Sequence, residues 1–147
     1  MKSNLRMQQL LGQLSINPDL MLHEETSKAP KLQMIDGCVF LEEQYELSKV
    51  TSLEQIQDRT AYECFLNHVH FQVGQGKQAL ELVFDYASAI RRSLVSLGSG
   101  SFEIILSVAD GGCTVRFHKC RPGEVWLSEN LDSYEHEAIL AMRVGLP

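Results

Sequence analysis

Apolar residues recur at helical spacing in two stretches of this chain. Over 77–97, Leu80, Val83, Phe84, Ala87, Ile90, Leu94 and Leu97 trace one stripe. Arg91 and Arg92 fall in the last third, where cations suit the helix dipole, and Gly98 supplies a stop. The spacing predicts a long helix there. Over 2–15 a shorter stripe of Met7, Leu10, Leu11 and Leu14 predicts an N-terminal helix, which Asn17 and Pro18 end.

Elsewhere the period drops to two. Residues 61–73, AYECFLNHVHFQV, are rich in β-formers. In an extended chain Phe65, Val69, Phe71 and Val73 share one face, with Tyr62, Cys64, Leu66, His68 and His70 on the other. Both faces are partly apolar, which predicts a central strand. Residues 101–109 and 112–120 flank Asp110 and Gly111, a two-residue signal for a type I′ hairpin turn. That turn sets the register. Val108 faces Cys113, Leu106 faces Val115 and Ile104 faces Phe117 on the core side; Ser107 meets Thr114, Ile105 meets Arg116 and Glu103 meets His118 on the other.

The remaining signals are weaker. Residues 19–41 read as irregular, with short strands at 20–23 and 32–36 ahead of Cys38–Leu41. Residues 52–58 fit a short helix, with Ser52 as cap and Gln55 completing a capping box. Residues 125–127 are short and extended, and 138–144 can close the chain as a strand. The order is α+β: a mostly antiparallel sheet with the long helix on one face and an N-terminal helix. No repeat or linker divides the chain, which reads as one domain over 1–147, less regular over 1–59 and with its strand-helix-hairpin-strand core over 60–147.

The length supports this, because a 147-residue domain buries about 70% of its unfolded surface. The net charge of −6 disfavours nucleic-acid and anionic-membrane partners, and it suits a basic protein. No apolar run approaches the roughly 20 residues of a bilayer span, and the N-terminus lacks the apolar segment of a signal peptide, so a cytoplasmic protein is expected. Cys38, Cys64, Cys113 and Cys120 form no CxxC pair, and are expected to be reduced.

Charge concentrates in one place. Between Arg121 and Arg143 lie Glu124, Glu129, Asp132, Glu135 and Glu137 without a Lys or Arg, and Trp126, the only Trp, and Tyr134 sit among them. Aromatic anchors in a one-sign field suit a basic partner, the rings giving contact area and the charges steering. The same run also reads as a solvated rim around one core Trp. If the loop hangs from the hairpin's sheet by Val125, Leu127, Leu131 and Ile139, its carboxylates are displayed in a fixed geometry.

Other constellations of reactive side chains occur elsewhere in the chain. His68-x-His70 and His118-x-Cys120 would converge as zinc ligands only on neighbouring strands, and an HxH pair is more often a polar sheet face. Lys119 and Arg121 flank Cys120 and would favour its thiolate. The run GQGK at 74–77 has the context of an anion site but not P-loop spacing, and Gln78 stands where the Mg²⁺-binding hydroxyl belongs. Glu24 with Glu25, Glu42 with Glu43, and Glu135 with Glu137 around His136 are carboxylate pairs without a cleft. The polar sheet face, with Glu103, Arg116 and the histidines, joined by Arg121 and Glu124, suits a small-ligand pocket or a salt-bridged interface.

The run NHVHF, the long helix, and the stretch FEIILSVADGGCTVRFHKCRPGEVWLSENLDSYEHEAILAM resemble small bacterial immunity proteins of toxin–immunity systems over 60–144. The elements are E-x-W, here Glu124 and Trp126, and D-x-Y-x-x-E, here Asp132, Tyr134 and Glu137. The resemblance implies a compact, acidic, non-catalytic α+β protein that binds and neutralises a cognate basic toxin or enzyme, as a monomer or homodimer and without a cofactor. Its expected contacts are Glu124, Trp126, Glu129, Asp132, Tyr134 and Glu135. The alternatives are a homodimeric secretion chaperone or adaptor, and a metal- or ligand-binding protein using His68, His70, His118 and Cys120.

Overall fold

The computed structural model describes residues 1–48, 58–72, 74 and 76–145. Its main sheet is five-stranded and antiparallel, in the order β1 (Lys2–Ser3), β7 (Ala138–Gly145), β5 (Ser101–Ala109), β6 (Gly112–Lys119), β4 (His68–Phe71). A second sheet pairs β2 (Leu32–Ile35) with β3 (Cys38–Leu41). The long helix α5 (Lys77–Ser96) packs on one face of the main sheet. Beside it lie α1 (Leu5–Leu14) and α2 (Pro18–His23). Two further helices, α3 (Glu42–Leu47) and α4 (Arg59–Leu66), flank the small sheet. The fold is α+β, as the pattern of periods predicts.

The core follows from that pattern. Leu80, Val83, Phe84, Ala87, Ile90 and Leu94 of α5 are buried against Ile104, Leu106, Val108, Val115, Phe117 and Leu140. Met7 and Leu11 of α1 join the same cluster, so the N-terminal part shares its core with the hairpin. The hairpin register is the predicted one at all six positions. Its turn is not type I′: Asp110 and Gly111 keep negative φ, and the positive value falls on Gly112 at 122°. A turn followed by a residue at positive φ restores the strand twist without forcing Asp110 into a left-handed conformation. Only glycine fits at 112, since a Cβ there would lie 2.4 Å from the Phe71 carbonyl oxygen.

Several expected elements differ. Residues 20–23 are not a strand but lie in α2, because Asn17 and Pro18 begin a helix rather than end one. Asn17 accepts from the N–H groups of Asp19 and Leu20, and Pro18 takes the first helical position, where its missing N–H is no loss. The predicted central strand over 61–73 is two elements. Asp58 caps α4 through Ala61 N (2.7 Å), and the chain becomes extended only at His68, as the edge strand β4. The N-terminal helix starts at Leu5, because residues 2–3 pair with β7. Residues 125–127 belong to no strand. Of the helix expected at 52–58, only Asp58 lies within the described residues.

Candidate functional site

On the face of the sheet opposite α5, side chains form rows across the strands. One row runs Lys2, Ala141, Ile105, Arg116, His68; the next on one side is Ile139, Ser107, Thr114, His70, and on the other Arg143, Glu103, His118. This is the polar face expected from the hairpin register. Over it folds the segment 121–137. Leu127 and Leu131, with Tyr134, dock on Ile105, Ile139 and Ala141 in a small hydrophobic cluster.

Polar bonds hold this loop. Asn4, 2% exposed, caps α1 by accepting from Met7 N (3.0 Å) and also accepts from Ile139 N (2.9 Å). Its amide donates to the carbonyls of Leu131 (3.3 Å) and Glu137 (2.7 Å), tying helix, strand and loop together. Asp132 accepts from Leu5 N (2.8 Å) at the first turn of α1. Glu124 accepts from Thr60 N (3.2 Å) at the first turn of α4 and lies 3.9 Å from Arg121. A carboxylate beside unpaired helix N–H groups satisfies them and suits the dipole. Tyr134 Oη accepts from Ser128 N (2.9 Å), and Arg6 donates to the Glu135 carbonyl (3.1 Å).

The predicted contact residues therefore divide. Glu124 and Asp132 are tied to helix ends, and Tyr134 braces the loop. Glu129, Glu135 and Glu137 are exposed and in no ion pair among the described residues. Trp126 is not a core residue: it is 37% exposed, beside Val125 at 74%, and the Arg116 guanidinium sits 5.2 Å from its ring centroid. The acidic run also faces cations. Lys2, Arg121 and Arg143 line a cavity of about 240 Å³ together with Glu124, Trp126 and Glu129. The field is less one-signed than the sequence alone suggests.

The histidines and Cys120 do not converge. His68 stands opposite Arg116 and His70 opposite Thr114, so His118 lies beyond the end of β4. His68 bonds the Phe65 carbonyl at 2.9 Å. His118 lies within hydrogen-bond reach of the Lys119 carbonyl (2.9 Å) and the Glu103 carboxylate (3.2 Å). That hydrogen bond holds the Glu103 carboxyl below its ordinary value, against the opposing effect of burial. No group of three or more His, Cys, Asp or Glu able to hold a metal occurs among the described residues. The Cys120 thiol is pushed up by burial, which outweighs the Ser101 hydrogen bond and the nearby arginines, contrary to the thiolate that its basic neighbours suggest.

With this geometry in place, comparison with known families gives one match. The chain belongs to the uncharacterized protein PM0498 family, whose model matches residues 1–145. No curated protein and no solved structure matches it.

Sequence reasoning missed a polar node that joins the small sheet to the main one. Glu63, fully buried, accepts from Val39 N (2.7 Å), Lys119 N (2.9 Å) and Arg121 Nη1 (2.6 Å). One turn on, buried Asn67 accepts from Leu41 N (2.9 Å) and donates to the carbonyls of Val39 (2.7 Å) and Phe117 (3.4 Å). Glu63 of α4 and Asn67, the residue after its last turn, thus supply the bonds that a neighbouring strand would otherwise give to β3 and to the end of β6. Arg121 also donates to the Gly37 carbonyl (2.9 Å). Burial opposes its charge, but Glu63 outweighs burial and raises the guanidinium above its ordinary value. The signal was there: Asp58 is a helix cap, and Glu63 and Asn67 are four apart.

Proposed function

We propose that this protein is a non-catalytic protein-binding module that meets a basic partner with the outer surface of segment 121–137. The observation that carries the reading is Trp126, exposed together with Val125 on a loop pinned to two helices and a strand. A large ring held in place before contact is a low-entropy anchor. Glu129, which lines a cavity with Trp126, and Glu135, exposed on the same segment, supply the negative charge that would steer a basic surface. Glu124, Asp132 and Tyr134 act by holding the loop rather than by touching the partner. Neutralisation of a cognate toxin or enzyme is the specific form of this function that the sequence resemblance supports.

The test is co-purification from the native host at low salt, with mass spectrometry of what is retained. A basic protein is expected. Its affinity should fall by about tenfold or more with Glu129→Lys and Glu135→Lys together, and should weaken as salt rises. Recovery of no basic protein at low salt, or an affinity indifferent to both charge reversals, sinks the proposal.

A further inference from the structure

Between the loop and the β5–β6 hairpin lies a second cavity, of about 410 Å³. Its polar lining includes Arg116, Ser107, Thr114 and His70, and its apolar lining includes Trp126, Tyr134 and Leu127. The volume is in the range of small-molecule sites.

Arg116 is the unusual element. It is half-buried, yet its side chain makes no hydrogen bond or ion pair with a carboxylate among the described residues; its guanidinium lies against the face of Trp126 and near the buried Cys64. Arg121, from the same part of the chain, shows the contrast, with its donors taken by Glu63, Gly37 and Lys119. A guanidinium laid on a ring keeps its orientation while its N–H groups stay available, and two parallel N–H groups match a carboxylate.

The rest of the floor is already arranged. His70 Nε2 lies 3.0 Å from the Gly111 carbonyl, which can only accept, so Nε2 carries the proton. His70 Nδ1 lies 3.3 Å from the Thr114 hydroxyl. Ser107, directly across from Thr114, has no hydroxyl partner among the described residues and is placed to donate. Glu137, also lining the cavity, disfavours a second negative charge on whatever enters.

We infer that this cavity binds a small organic monocarboxylate with a flat apolar body, its carboxylate on Arg116 and Ser107 and its body against Trp126 and Tyr134. The cavity shares Trp126 with the outer surface proposed to meet a protein but not Glu129 or Glu135, so the two readings fail on different variants.

Calorimetric titration of the full chain with benzoate and with indole-3-acetate tests this, with benzamide and inorganic phosphate as comparisons. Saturable one-to-one binding of at least one of the two acids is expected, with a change in the emission of Trp126. Benzamide and phosphate should bind about tenfold more weakly or less. Arg116→Gln should cost about tenfold in affinity with its thermal melt preserved, Arg116→Lys should fall between it and the native chain, and Glu129→Lys with Glu135→Lys should leave affinity unchanged. The inference is overturned by no binding of either acid up to about 10 mM, by benzamide or phosphate binding as tightly, or by undiminished binding to Arg116→Gln.

Discussion

On one face of the five-stranded sheet, Leu106, Val115 and Leu140 meet the stripe of α5; on the other, Ile105, Ile139 and Ala141 meet a loop. The helical face meets the sheet through apolar burial, while Ser88 and Ser93 of α5 donate to the carbonyls of Glu24 and Pro30. The loop face buries a handful of apolar side chains, and relies on Asn4, Asp132 and Glu124 to hold what covers them. Burial is non-directional and spreads its strength over many contacts. A polar pin acts at one point and in one direction, so it fixes the position of Trp126 at little cost in apolar surface. Both cavities that Trp126 lines lie on the face built that way.

Breaking the apolar face should have the largest effect. Phe84, fully buried at the centre of α5, is expected to cost about 3–5 kcal/mol when replaced by Ala, read as a lowered denaturation midpoint with cooperativity retained. Asn4→Ala attacks the other face. It leaves the N–H groups of Met7 and Ile139 and the carbonyls of Leu131 and Glu137 without the amide that now serves them. About 3 kcal/mol is expected, together with faster amide exchange in 131–139 than in α5. Uniform loosening of both faces would show that the pin is not local.

The two faces also differ in how far the sequence disclosed them. The stripe of α5 repeats over five turns, and alternation in β5 and β6 is locked by a two-residue turn, so each has one consistent reading. Residues 61–71 do not. Tyr62, Cys64 and Leu66 alternate as a strand would, but Tyr62 and Leu66 are also four apart, and eight residues are too few for the period to decide. What decides is tertiary: Glu63 and Asn67 are buried where β3 and β6 need partners. On the loop face the residue types were legible but their assignments were not, because nothing local says that Asp132 reaches Leu5, or Glu124 reaches Thr60, across more than sixty positions.

A smaller effect tests the charge buried in the loop face. Glu103 pairs with His118 and has a folded pKa below the ordinary 4.5. A depressed carboxyl adds stability that is complete above its unfolded value and is lost as the pH falls through the folded one. Glu103→Gln should therefore cost about 2 kcal/mol near neutrality. The gap between native and variant chains should close as the pH drops below about 4.5. A gap that widened in acid would mean that His118 does not stabilise the Glu103 carboxylate.

The smallest effect falls on the residue with the most surface to offer. Were Trp126 a core residue, truncation to Ala would cost about 3–5 kcal/mol. It is exposed by more than a third, and a half-buried arginine lies over its ring. Such a contact is worth about 0.5–1 kcal/mol. Trp126→Ala should then cost about 1 kcal/mol with some lost packing on Leu127, and leave the Asn4 pin and the register of β7 untouched. A loss near that of Phe84→Ala would make Trp126 part of what holds the loop down. A loss near 1 kcal/mol would leave the ring available for recognition, because the loop keeps its place through Asn4 and Asp132 whether or not the ring is there.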